Sequence, residues 1–171
     1  MRWFTREWAW GGLDDARYTQ AMADHREHRA EVLPRLPPTF AILLGEPDAS
    51  GHRHTLHDAR VVSWAVDLPR RFELQLICWG PAADDEPEGL EIIYSDGVEL
   101  IGPDEPTLAA WFANPQTEFV YEEADALPDG RFEHRHLLEP DGEFGVRFGD
   151  IKLAFSPASP EDYHALRERT Q

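Results

Sequence analysis

Residues 130–155 read GRFEHRHLLEPDGEFGVRFGDIKLAF, and this stretch decides the fold. Apolar side chains recur at alternate positions: Phe144, Val146 and Phe148 in one run, and Ile151, Leu153 and Phe155 in the next. Phe132 to Leu138 precede them. A period of two marks half-buried β-strands, because successive side chains leave a strand on opposite faces. Pro140-Asp141-Gly142 and Gly149-Asp150 interrupt the pattern as tight turns do. Strands joined this closely are antiparallel, since parallel neighbours need a crossover of about a dozen residues or more.

The same period extends upstream. From Leu56 onward, Val62, Trp64 and Val66 share one face, and Phe72, Leu74, Leu76 and Cys78 share another, set against Glu73 and Gln75. An acidic loop from Pro81 to Gly89 separates them from Leu90, Ile92 and Tyr94. Ser95-Asp96-Gly97 then reads as a hairpin turn, where glycine takes the positive φ that such turns require. TLAAWF (residues 107–112) is a short helical turn closed by Asn114-Pro115. Phe119 and Tyr121 resume the strand pattern, and Pro128-Asp129-Gly130 turns the chain again.

The N-terminal part has a different period. Residues 1–10 alternate weakly, with Trp8 and Trp10 on one face if extended, and Gly11-Gly12 breaks them. Asp14 suits an N-cap, and Tyr18, Met22, His25, Arg29 and Val32 or Leu33 follow at helical spacing. They predict one amphipathic helix over about residues 14–33, stopped by Pro34, Pro37 and Pro38, which cannot continue the helix ladder. Residues 39–44 (TFAILL) suit a turn of helix or a strand, and Pro160 to Arg169 one polar helical turn or two. The expected fold is α+β: a mostly antiparallel β-sheet of about six to eight strands, one face covered by the helix. A single domain over 1–171 is expected, with a helical and aromatic part at 1–45 and a sheet part at 56–156.

Composition narrows the function. Sixteen Lys and Arg stand against 33 Asp and Glu, a formal charge of −17, so the cationic surplus that phosphate neutralisation needs is missing and nucleic acid is not the expected partner. With 42% apolar residues and six tryptophans, the chain can bury a core, unlike a disordered acidic tail. The tryptophans read first as core filling. No run approaches the roughly 18 apolar residues of a membrane span. The start, MRWFTREWAWGG, places charges among its apolar residues, unlike a signal peptide. Cys78 is the single cysteine and forms no internal disulfide, which suits a reducing, cytoplasmic compartment.

Histidine carries the chemical interest. Five of the eight histidines fall in two groups, His52-Arg53-His54-Thr55-Leu56-His57-Asp58 and Glu133-His134-Arg135-His136. His-x-His on a strand puts both imidazoles on one face, about 7 Å apart along the chain. That pair suits zinc or another first-row ion, which needs one or two more ligands. His54, His57 or Asp58 would supply them if the strands pair, so the metal candidates are His54, His57, Asp58, His134 and His136. The competing reading makes His134 a neutral, hydrogen-bonded core ring and His136 a rim residue, with burial lowering both pKa values. His57-Asp58 reads either as half of an acid/base pair or as a turn with Asp58 as its cap. No G-x-S-x-G elbow, HExxH helix or P-loop is present, so no catalytic or cofactor-binding residue is identified. Cys78 reads as an inert core thiol. Asp84-Asp85-Glu86-x-Glu88 and Glu122-Glu123-x-Asp125 do not fit an EF-hand, and read as a solvated loop and a wet strand edge.

The MRWFT start, His57-Asp58-Ala59 before the first long strand, and an ending built from Phe119 to Glu123, Gly130 to Leu138, Asp141 to Phe144 and Phe148 to Leu153 together resemble a family of small bacterial proteins of unknown function. The resemblance is thin over residues 39–56 and in the acidic loop, and it implies a fold without an activity. His136 stands where the family pattern leads one to expect an aliphatic residue, which makes the paired histidine a feature of this chain.

Two functional classes follow. One is a non-catalytic binding protein without a cofactor, of the immunity or inhibitor kind, meeting a basic protein partner through charge complementarity. The other is a metal-binding protein or metal-dependent hydrolase using the histidine groups at 52–57 and 134–136, with zinc or a similar divalent ion. Beside these two stands a module without a ligand, monomeric or homodimeric through a strand edge. Neither a membrane nor nucleic acid is expected as a partner.

Overall fold

Alternating sequence becomes strand in the computed structural model, which describes residues 2–79, 86–140 and 142–168. Asp84, Asp85 and Arg169 lie outside the described residues. The strands are β1 (Arg60–Asp67), β2 (Arg71–Cys78), β3 (Glu88–Ser95), β4 (Glu99–Ile101), β5 (Glu118–Ala126), β6 (Phe132–Glu139), β7 (Glu143–Phe148) and β8 (Asp150–Pro157). The helices are α1 (Arg6–Ala9), α2 (Asp15–Val32), α3 (Pro38–Leu43), α4 (Glu105–Ala113) and α5 (Pro160–Glu168). The protein is α+β with antiparallel strand pairing. Among the described residues no helix is long and apolar enough to cross a membrane.

Among the described residues the eight strands divide into two four-stranded sheets, ordered β1-β2-β3-β8 and β4-β7-β6-β5. Phe72, Leu74, Leu76, Leu90, Ile92 and Tyr94 of the first sheet share one core cluster with Phe119, Phe144, Val146 and Phe148 of the second. The sheet face expected to lie under a helix is therefore covered by the other sheet. The reason lies at Ser95-Asp96-Gly97. Asp96 and Gly97 take φ values of 64° and 71°, as the glycine signal implied. The flanking strands do not pair, however: β3 belongs to the first sheet and β4 to the second. A turn signature fixes a reversal of direction, and packing selects the strand that receives the chain. Gly149 carries the chain back from β7 to β8, and its N–H donates to the carbonyls of Ser95 (3.1 Å) and Asp96 (2.8 Å). Elsewhere the sheets are tied by Asp58 N–H to Phe119 O (2.8 Å) and Phe119 N–H to Ala59 O (3.0 Å).

Helix α2 begins where expected, with the Asp14 carboxylate accepting from Arg17 N–H at 2.9 Å. Val32 is its one buried residue. Met22, His25, His28 and Arg29 are half-buried, and His28 Nε2–H donates to Ala124 O of β5 at 3.1 Å. The helix thus stands along the flank of β5 and closes a side of the molecule. Other expectations shift by local geometry. Residues 6–9 are helical, so Trp8 is buried and Trp10 is 43% exposed instead of sharing a face. The register of β1 skips Val62, which bulges out at 42% exposure, leaving Val61, Trp64 and Val66 against the core. TFAILL is helical, burying Phe40 and Leu43. The C-terminal helix is less polar in its contacts than its composition implied, because Tyr163 and Leu166 dock on Ile77 and Trp79.

The two corners meet too closely for a side chain at Gly149. A Cβ there would lie 2.5 Å from Asp96 Oδ2, 2.9 Å from its Cγ and 3.0 Å from its Cβ. Asp96, already at positive φ, has little freedom to yield. Gly149→Ala is expected to lower urea-denaturation stability by about 1–3 kcal/mol. A change within about 0.5 kcal/mol, the range of an ordinary surface substitution, would contradict this account of the corner.

Candidate functional site

The site begins with one extra residue in β5. Phe119 pairs with Leu138 and Tyr121 with Leu137, so Val120 has no partner on β6 and forms a bulge. Side-chain phase changes across a bulge. Before it Phe119 faces the core, and after it Glu122 and Ala124 do, opposite His136 and His134. This corrects the expectation that Glu122-Glu123-x-Asp125 forms a wet strand edge. Glu123 turns to the outer side but is only 4% exposed. Its carboxylate accepts the backbone N–H groups of Arg2 (2.6 Å), Trp3 (2.7 Å) and Phe4 (2.8 Å), fastening the N-terminal segment over β5.

His134 and His136 share one face, as the His-x-His spacing requires, with ring centroids 4.0 Å apart. Both are 0% exposed, so His136 is a core residue and not a rim residue. They meet Tyr94, whose hydroxyl lies 2.9 Å from His134 Nδ1 and 3.5 Å from His136 Nε2. His134 Nε2 lies 3.0 Å from Glu122 Oε2. One direction of donation avoids a buried unpaired N–H. His136 Nε2–H donates to Tyr94 Oη, the Tyr94 hydroxyl to His134 Nδ1, and His134 Nε2–H to Glu122. His136 Nδ1, fully buried and without a hydrogen-bond partner, then presents a bare lone pair. A tyrosine on the otherwise apolar Leu90-Ile92-Tyr94 face was the legible sign of such a network, since a buried phenol needs a partner.

Burial sets the protonation states. It lowers the His134 pKa to about 3, and that of His136 well below the usual imidazole value, with His134 alongside adding to the effect. Glu122 is raised to about 8 by burial, against smaller opposing effects of Arg29 and His57. Tyr94 is raised well above the usual phenol value, by burial and then by Glu122. Buried Cys78 is likewise raised by burial, in keeping with an inert thiol.

Glu122 keeps 19% side-chain exposure and lines a cavity of about 210 Å³ between α2, β5 and the loop before β1. Phe4, Val32, Leu36, Leu44, Leu56 and Phe119 make its apolar wall, while His25, His28, Arg29 and His57 add polar groups. This volume suits a small molecule. Glu122, His134 and His136 each offer a ligand atom, all within 4.8 Å of one another, so the His-x-His pair gains a carboxylate as its third donor.

The remaining candidates are placed elsewhere. His54 joins His52 and Glu88 in a separate group on the first sheet, and among the described residues no metal-ligand group unites it with His134 and His136. Contacts with Glu88 and Phe155 hold His54 there. His57 lines the cavity with its Nδ1 3.0 Å from Asp58 Oδ1, both side chains about half exposed. Asp58 takes a φ of 64° in the turn before β1. A scan of family models and searches of curated proteins and solved structures find no match to the chain.

Metal-free protein, kept so with chelator, has a defined pH signature. Glu122 holds its proton to about pH 8 when folded, against an ordinary value of 4.5 for the unfolded chain. Stability therefore falls as pH rises through that window, by up to about 1.4 kcal/mol per pH unit. His134 is neutral when folded down to about pH 3, whereas the unfolded chain protonates below 6.5, so stability also falls as pH drops from 6.5. Urea titrations should show a maximum near pH 6.5 and a decline toward pH 8 that Glu122→Gln removes. An unchanged decline in that variant would assign it to another group.

Proposed function

We propose that this protein binds a divalent first-row metal ion through Glu122, His134 and His136 and presents it to a small, largely apolar molecule held in the adjoining cavity. The convergence of these three donors beneath the cavity carries the reading: each offers a ligand atom within 4.8 Å of the others, and His136 has in addition a ring nitrogen, Nδ1, that is buried without a hydrogen-bond partner. Two neutral imidazoles and a carboxylate suit zinc and its first-row neighbours. Burial keeps both rings in the neutral form that a metal requires, whereas Glu122, which holds its proton to about pH 8 in the metal-free protein, would release it on metal binding. Three protein donors leave room for a further ligand, as in catalytic zinc sites.

A metal held there supplies a Lewis acid in a partly dry pocket, which favours hydrolysis of a carbonyl or phosphoryl compound. The chain's own groups have matching tasks. The apolar wall around Phe119 and Leu56 excludes water from the ligand. Tyr94 orients His134 through its Nδ1. His57, its Nδ1 3.0 Å from Asp58 Oδ1, adds an imidazole to the cavity wall beside those of His25 and His28.

Zinc titration of chelator-stripped protein by isothermal calorimetry tests the reading. Glu122→Gln, close in shape to the native side chain, should weaken one equivalent of zinc by at least about tenfold. A cobalt(II) absorption spectrum should lose the corresponding bands. Identical metal binding by the wild type and the variant, or none by either, would refute it. The charge of −17 supports a second reading, capture of a basic protein partner. On that reading, affinity for the co-purifying partner falls steeply between about 0.05 and 0.5 M salt, and a salt-insensitive complex counts against it.

A further inference from the structure

A second set of ligand atoms converges on the first sheet, apart from the buried centre. His54 is 7% exposed, and its ring stacks on Phe155 with centroids 3.9 Å apart and 21° between the planes. Each ring nitrogen faces a carboxylate: Nδ1 is 2.5 Å from Glu88 Oε1, and Nε2 is 3.3 Å from Asp48 Oδ2. Asp48 is itself fixed, because its Oδ1 accepts from Ser50 N–H (2.8 Å), the Ser50 hydroxyl (2.7 Å) and His52 N–H (3.0 Å). The His52 ring meets His54 edge to face, with centroids 4.6 Å apart. Ligand atoms of His52, His54 and Glu88 all lie within 4.8 Å of one another.

A neutral imidazole carries one N–H. Donated to Asp48, it leaves the His54 Nδ1 lone pair directed at a carboxylate oxygen, and two acceptors so placed need a cation between them. An imidazolium proton would serve His54, Asp48 and Glu88, but it gives the neighbouring His52 ring no part. A metal ion uses all three groups. We infer that His52, His54 and Glu88 form a second, solvent-facing site for a divalent transition metal such as zinc, with Asp48 as the positioning residue that takes the His54 Nε2–H and leaves Nδ1 to the ion. Carboxylate–histidine–metal arrangements of this kind fix both tautomer and ring orientation. Two imidazoles and a carboxylate form a donor set suited to zinc, copper(II) or nickel(II). Tetrahedral ligand atoms about 2.1 Å from zinc stand about 3.4 Å apart, so Glu88 needs to draw back by about 1 Å. Its side chain is 25% exposed and has room to do so. An open cleft of about 450 Å³, lined by His52, Glu88 and Phe155, gives the ion access from solvent.

Calorimetric zinc titration of the full chain, stripped of metal, tests this separately from the buried centre. His52→Ala and Glu88→Gln alter partly exposed side chains and spare the core. Each is expected to remove one zinc equivalent or weaken it at least tenfold, while Glu122→Gln leaves that equivalent in place. Long-range ¹H–¹⁵N spectra with one added zinc equivalent on the Glu122→Gln background should show His54 bound through Nδ1 and protonated at Nε2. Zinc binding by His52→Ala and Glu88→Gln indistinguishable from wild type overturns the inference, as does failure of the Glu122→Gln protein to bind zinc. Loss of an equivalent in Glu122→Gln alone overturns this site and leaves the buried one standing.

Discussion

The unpaired residue in β5, Val120, sets the phase of the rest of that strand. With it, Phe119 and Glu122 both look into the space between the sheets, and Glu123 looks out to gather the N-terminal backbone. Pair Val120 with Leu137 in a regular ladder and every later position exchanges faces, because the side-chain period is two. A buried carboxylate would then be replaced by an aromatic ring, and the N-terminal segment would lose its anchor. One local irregularity thus supplies both the donor beneath the cavity and part of the wall around it, since Phe4 sits in the segment that Glu123 holds.

The two-sheet arrangement brings Tyr94 to that donor. Tyr94 belongs to β3 of the first sheet and His134 and His136 to β6 of the second, so their contact exists only because the sheets face each other. The corners at Asp96 and Gly149 route the chain between the sheets side by side, and Gly149 N–H donates to the Ser95 and Asp96 carbonyls. Helix α2, freed from covering a sheet face, stands at the side of β5, where its His25, His28 and Arg29 rim the cavity.

Such a centre is costly for a small core. A buried polar atom left without a partner costs about 1–3 kcal/mol, and His136 Nδ1 is one. Burial also holds Glu122 away from its ordinary ionisation, a perturbation that gathers at functional sites more often than elsewhere. Apolar side chains of similar volume at these positions would pack without that penalty. The surrounding Phe119, Phe144 and Phe148 offset the cost through burial alone, which is how a short chain sustains a polar cluster in its middle.

Much of the fold was legible in the residues themselves. Alternation placed the strands, prolines ended α2, Asp14 began it, and the glycine turns marked the reversals, because each depends on backbone geometry within a few residues. His134 and His136 could be placed on one face for the same reason. The carboxylate that completes their set could not, since a bulge at Val120 leaves no distinctive mark in a run such as Phe119-Val120-Tyr121-Glu122-Glu123. Nor could the separation of His54 from the buried pair, or the division of eight strands into two sheets. Those outcomes rest on which strand receives the chain after a turn, and that choice is made by packing between segments far apart in sequence. Local sequence determined the elements and their faces; tertiary packing decided which faces meet, and with them which side chains form a site.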